Sequence, residues 1–139
     1  MRWAFGVFLL FCGCSPNSSE EFHREGESRC RALVLDLEKI ENREQLLRAE
    51  LQLKRHFESL ISLMIEAREF QQKHLDDVEG EGAFEEGSAD VRLEEELRRI
   101  YAIEGGREVV ERTQHEALVR LDAYERTLAK KREQLSPNN

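Results

Sequence analysis

The stretch "CRALVLDLEKIENREQLLRAEL", residues 30–51, contains neither glycine nor proline, and its apolar side chains recur at Cys30, Leu33, Leu37, Ile40, Leu47 and Leu51. Intervals of three and four residues put such positions on one stripe of a helix, so the spacing predicts a heptad seam interrupted only at Glu44. Glycine and proline are absent from the whole of residues 28–79. That predicts one helix, about 78 Å long at 1.5 Å per residue. Beyond Leu51 the stripe drifts to Phe57, Leu60, Ile61, Met64, Ala67, Phe70, Leu75 and Val78, as a straight 3.6-residue helix does against a 3.5-residue repeat. Within it, "FESLISLMI" (residues 57–65) is apolar around too much of its circumference for one neighbouring helix to cover. Phe57, Leu60, Ile61, Met64 and Ile65 are therefore the expected interaction face, toward a second copy or a different partner.

Outward from this helix, "EGEGAFEEGSAD" (residues 79–90) holds three glycines and ends in Asp90, a good N-cap with Ser88 as its competitor. Residues 80–90 read as an acidic, glycine-rich hairpin loop. The return segment, residues 91–135, carries Leu93, Leu97, Ile100, Ile103, Val110, Ala117, Leu121, Tyr124, Leu128 and Leu135 at helical spacing, and residues 136–139 form a short tail from Ser136-Pro137. Two stripes joined by one loop predict an all-α protein: a long antiparallel helical hairpin, coiled-coil-like. Three helices, or a dimeric four-helix bundle, are its variants. The doublet Gly105-Gly106 costs about 2 kcal/mol in a helix relative to alanine, and reads as a kink, a close helix crossing, or a turn that splits the return segment.

Surface chemistry agrees with exposed helices. Acid-first pairs four apart recur, among them Glu44 with Arg48, Glu50 with Lys54, Glu94 with Arg98 and Glu116 with Arg120, a spacing that supports helix by about 0.2–0.5 kcal/mol per pair. The 139 residues fit a single domain, and charged residues make up 36% of them against 7% aromatic, a composition of long helices with a thin core. With 29 acidic against 21 basic residues and a net charge of −8, the chain lacks the clustered Lys and Arg that drive binding to nucleic-acid phosphates, so no nucleic-acid partner is expected.

The N-terminus carries a different signal. Met1-Arg2 precedes an apolar run from Trp3 to Phe11, then Cys12-Gly13-Cys14, with no acidic residue before Glu20. This is the layout of a secretory signal peptide over residues 1–13; the 11 residues from Trp3 to Gly13 span about 17 Å of helix, too little for a hydrocarbon core of about 30 Å. Phe11-Cys12-Gly13-Cys14 resembles the lipobox of bacterial lipoproteins, with Phe11 where the family usually has an aliphatic residue. The resemblance covers about 14 residues. It implies cleavage after Gly13, lipidation of Cys14 and a membrane partner held through covalent lipid, since two or three acyl chains anchor stably where one does not. Ser15, rather than Asp, follows the cysteine; within that family this implies the outer membrane, facing the periplasm. Residues 14–27, polar and containing Pro16 and Gly26, read as a flexible tether, although Ser18 with Glu21 has capping-box spacing.

Other chemistry is sparse. With Cys12 removed and Cys14 alkylated, Cys30 is left unpaired in the mature chain, either as a core residue or as an interchain cross-link. Asp77, Glu79, Glu81 and Glu85, with Gly82 and Phe84, sit at offsets resembling an EF-hand calcium loop, but offset twelve is Ser88 in place of the closing bidentate Glu. A solvated acidic turn is the plainer reading. His23, His56, His74 and His115 are scattered singly, and no HExxH, CxxC, GxSxG or phosphate-loop spacing occurs. Neither a cofactor nor an enzymatic activity is expected. The sequence thus points to an envelope lipoprotein acting as a helical tether or docking surface for another envelope protein, with homodimerisation as one mode. A pilotin-like assembly factor for an outer-membrane secretion complex is the alternative, on size, anchoring and helicity alone.

Overall fold

Asn42 is where the expected long helix stops being one helix. The computed structural model describes residues 16–74 and 88–135, and over these the chain is all-helical: α1 (Ser19–Glu38), α2 (Arg43–Lys73), α3 (Ser88–Tyr101) and α4 (Gly106–Leu135). Lys39 closes α1, and Asn42, in extended conformation at φ −148° and ψ 169°, opens α2. The Asn42 side chain accepts a hydrogen bond from the Gln45 N–H at 3.0 Å, while Gln45 Oε1 accepts one from the Glu41 N–H at 2.7 Å. Each side chain satisfies a backbone donor that the new helix would otherwise leave orphaned. No glycine is needed, so the reversal passes unnoticed in a search for Gly and Pro.

The second helix runs back along the first. Phe22 meets Phe70 at a ring separation of 5.4 Å, Arg29 donates to the Ser59 carbonyl at 2.7 Å, and His56 Nε2 lies 2.7 Å from Asp36; rising numbers on α1 meet falling numbers on α2. The supposed tether is part of this hairpin. Ser18 Oγ accepts from the Glu21 N–H at 3.2 Å and caps α1, which starts at Ser19 rather than Ser28. Gly26, which argued for a spacer, sits inside α1 against α2; a Cβ there would stand 3.7 Å from Leu63, ordinary contact. Burial of Phe22 on Phe70 offsets the roughly 1 kcal/mol that glycine costs a helix.

A second hairpin forms from the return segment. Gly105 has φ +74°, the left-handed region that other residues enter at a cost of about 1–2 kcal/mol. A Cβ on Gly106 would fall 1.9 Å from the Ile100 carbonyl oxygen. The doublet is therefore a turn that divides the segment, and α3 begins at Ser88, ahead of the expected residue 91. Hairpin geometry is thus realised twice in one chain.

The two hairpins stack with their turns at one end. Arg43 meets Glu104 at 3.0 Å, Arg112 meets Glu50 at 2.6 Å, Lys54 meets Glu116 at 2.7 Å, and Arg68 pairs with Glu125; both numbers rise together, so α2 and α4 are parallel. Several acids and bases expected to pair within one helix are instead recruited between helices. α1 lies beside α3 and α2 beside α4, with α1/α4 and α2/α3 as the diagonals, and α3 touches α4 only lightly. Leu33, Leu37, Ile40, Leu46, Leu53, Phe57, Ile61, Ile100, Val109, Val110 and Ala117 form the core. Leu47 and Leu51, placed on the seam by the sequence pattern, are 46% and 61% exposed. The restart at Asn42 sets a new phase, in which Leu46 and Leu53 point inward.

Substituting the glycine doublet tests the second turn. Gly105→Ala should cost about 1–2 kcal/mol from its left-handed conformation, and Gly106→Ala more, because its clash is with backbone that cannot rotate away. Urea denaturation of the two variants should rank them in that order.

Candidate interaction surface

Both turns sit at one end of the bundle, so its other end is set by helix lengths. α3 has 14 residues against 31 in α2 and 30 in α4, which is about 21 Å of rod beside rods of about 46 Å and 45 Å. Past that height one column of the bundle has no described helix in it. The burial pattern records the loss. Phe57 and Ile61 are each 8% exposed, whereas Met64, two turns on from Phe57 and on the same face, is 43% exposed. On α4, Val110 and Ala117 are buried, and the continuation of their stripe through Leu121, Tyr124 and Leu128 is only half-buried, ending in Leu135 at 73% exposure.

The expected face at residues 57–65 is accordingly divided. Phe57 and Ile61 belong to the core, and Leu60 and Ile65 pack against it. The second neighbour that this wide stripe requires is supplied within the chain, by α1 on one side and α4 on the other. Met64 alone of the five is exposed. On α4 the regular stripe that looked like core is core only in part: Leu121 packs against the core, Tyr124 and Leu128 are half-buried, and Leu135 is exposed. Among the described residues this stripe runs past the start of α3 at Ser88.

Tyr124 marks this surface chemically. Its hydroxyl is buried and has no hydrogen-bond partner among the described residues, and its pKa is raised, first by desolvation and then by the Glu69 carboxylate, with Arg68 opposing. Charged groups flank it: Arg68 pairs with Glu125, and Arg120 donates to Ser62 Oγ at 2.9 Å. The same end of the α1–α2 hairpin is aromatic, with Phe70 stacked on His74 at 4.2 Å.

A shallow depression of 310 Å³ between α1 and α2 is lined by Asp36, Lys39, Gln45, Arg48 and Gln52 among others. Asp36 there binds Lys39 and His56, and these hydrogen bonds, Lys39 first, hold its carboxyl below the usual carboxylate range. Cys30 is half-buried, and burial, then Asp90 and Glu27, push its thiol up, away from the reactive thiolate. No group of three or more potential metal ligands occurs among the described residues. No helix among them is long and apolar enough to cross a membrane. Gly13, Cys14 and the calcium-loop candidates Asp77, Glu79, Glu81 and Glu85 lie outside the described residues. No family model, curated protein or solved structure matches the chain.

A buried hydroxyl without a partner costs about 1–3 kcal/mol. Tyr124→Phe keeps the ring and removes that cost, so thermal unfolding of the variant should occur at or above the wild-type temperature; a drop of several degrees would show that the hydroxyl has a partner.

Proposed function

We propose that the protein is a lipid-anchored bacterial envelope protein whose open bundle end is a protein-docking surface. The observation that carries this reading is where the two features fall relative to each other. α1 opens at Ser19 at the far end of the hairpin from the 39–42 turn, and so at the open end of the bundle. Cys14 precedes Ser19 by five residues (19 − 14), which reach at most about 18 Å when fully extended. A lipid on Cys14 would therefore hold the open end next to the bilayer surface, and the turn end would be the part farthest along the rod from the anchor.

The sequence at the cleavage site supports the anchor, and the half-buried stripe through Leu121, Tyr124, Leu128 and Met64 supports docking. Apolar surface flanked by charge, next to a membrane that confines the partner as well, favours encounter with another envelope protein without requiring a large interface. Ser15 after the cysteine favours the outer membrane, periplasmic side. A tether role follows from the same layout, since a protein bound at this surface is held at the membrane by the acyl chains of Cys14.

Replacement of Cys14 tests the anchor. In a diderm bacterial host, Cys14→Ala should move the protein out of the membrane fraction or leave it as the uncleaved, larger precursor; a variant processed and membrane-bound like wild type would overturn the proposal.

A further inference from the structure

We infer that the Gly105-Gly106 turn is a hinge across which two copies of the chain exchange α4, each α4 packing on α2 of the other copy. The inference does not rest on the reading of the open end as a docking surface, because exchange rebuilds contacts that a single chain already makes. The first observation is where the contacts of the second hairpin lie. Among the described residues α4 packs on α2 more extensively than any other two helices pack, α3 packs on α1, and α3 touches α4 only lightly. Arg112 with Glu50, Lys54 with Glu116 and Arg68 with Glu125 all join α2 to α4, and Val109, Val110 and Ala117 bring α4 into the core. Little besides the turn requires α4 to belong to the same chain as the α2 it covers.

The second is direction. α3 runs toward the turn end of the bundle and α4 runs back from it, parallel to α2. With the turn straightened, α3 and α4 become one helix over residues 88–135, about 72 Å long, whose second half emerges beyond the turn end. A two-fold axis perpendicular to the helices at that end makes α2 of the partner run away from the shared turns, parallel to the emerging α4. The columns match as well. α3 stands beside α1 and α4 beside α2, so an axis that carries the column of α4 onto that of α3 also carries the column of α2 onto that of α1. The straightened helix thus leaves α1 of its own chain and enters, in line, the place beside α2 of the partner. Every helix keeps the neighbours it has in the single chain, and only the turn is remade.

The third is the turn itself. It occupies residues 102–105 and is closed by backbone bonds that span three residues: the Ala102 N–H donates to the Arg99 carbonyl at 3.2 Å, Ile103 to Ile100 at 3.0 Å and Gly106 to Ile103 at 2.8 Å. In a continuous helix each is replaced by a bond that spans four. The closed form depends on glycine twice, for the left-handed conformation at Gly105 and for the missing side chain at Gly106. The open form is a helix in which the same doublet costs about 2 kcal/mol relative to alanine. Alanine at these positions therefore disfavours the closed turn and favours the open helix together. Short, constrained hinge turns between elements that pack elsewhere are the setting in which identical elements are exchanged between copies.

Light scattering on the full chain in a mild non-ionic detergent tests this. Gly105→Ala with Gly106→Ala should raise the protein mass to that of two chains at about 100 µM while the far-ultraviolet helix signal is kept. A second pair of variants reads the exchange directly. One chain carries Glu50→Arg and Lys54→Glu on α2, and the other carries Arg112→Glu and Glu116→Lys on α4. Each alone sets like charges across its α2–α4 contact, whereas in an exchanged pair reversed α2 meets reversed α4 and native α2 meets native α4. Refolded together from urea, the two should form a mixed dimer at about ten-fold lower concentration than either forms a dimer alone. A double glycine variant that gains no mass, folded or unfolded, or mixed chains that behave as the sum of the separate ones, would overturn the inference. Either result would leave anchoring at Cys14 and docking at the open end standing, since those are read from fractionation of the native chain and not from exchange.

Discussion

The reversal of the chain at residues 39–42 is the constraint on which the rest of the bundle depends, and its weakest point is the end of α1. The last turn of a helix leaves carbonyls without intrahelical donors, and α1 has no basic residue of its own in that turn. Arg99, from the other hairpin, donates to the Leu37 carbonyl at 2.7 Å and the Ile40 carbonyl at 2.6 Å, and Glu96 holds its guanidinium from behind at 2.7 Å. Charge-assisted donors to a helix C-terminus are among the stronger hydrogen bonds a protein makes. The contact closes α1, fixes α3 beside it and brings the two turns to one end. Ile40, 2% exposed, is buried beneath it, so the turn is also the start of the core.

Much of this was legible in the sequence at the level of elements and little at the level of topology. The stripes on α2 and α4, the Ser18 cap and the break at Gly105-Gly106 are local signals, and local physics decides them. The reversal at Asn42 is local too, and its Asn-x-x-Gln spacing is the same capping signal as that of Ser18 and Glu21. It was hidden because Ile40, Leu47 and Leu51 keep an apparent heptad across it, and heptad continuity argued for one helix. The side of the bundle on which Leu47 falls depends on where α2 restarts, and no composition rule reports that.

The candidate surface was the less legible part. Residues 57–65 drew attention because they are apolar all round, which in a bundle means contact with two neighbours of the same chain. The residues left open, from Leu121 to Leu135, have an ordinary amphipathic spacing. Among the described residues, they lie past the start of the 14-residue α3, and of their apolar stripe only Leu135 is exposed. The Tyr124 hydroxyl is shielded from water without a hydrogen-bond partner among the described residues. Among the described residues the core is dense toward the turns and thins toward the other end.

The antiparallel course of α1 and α2 is the claim that everything else inherits, and the distance between Arg24 and Glu66 measures it. Both are exposed and can carry spin labels on non-natural side chains in the full protein, leaving its cysteines untouched. Helices packed 8–10 Å apart put the labels within about 30 Å of each other, and pulsed dipolar spectroscopy should find a single narrow distribution there. A distribution centred near 63 Å, the length of 42 residues of unbroken helix at about 1.5 Å each, would contradict the account.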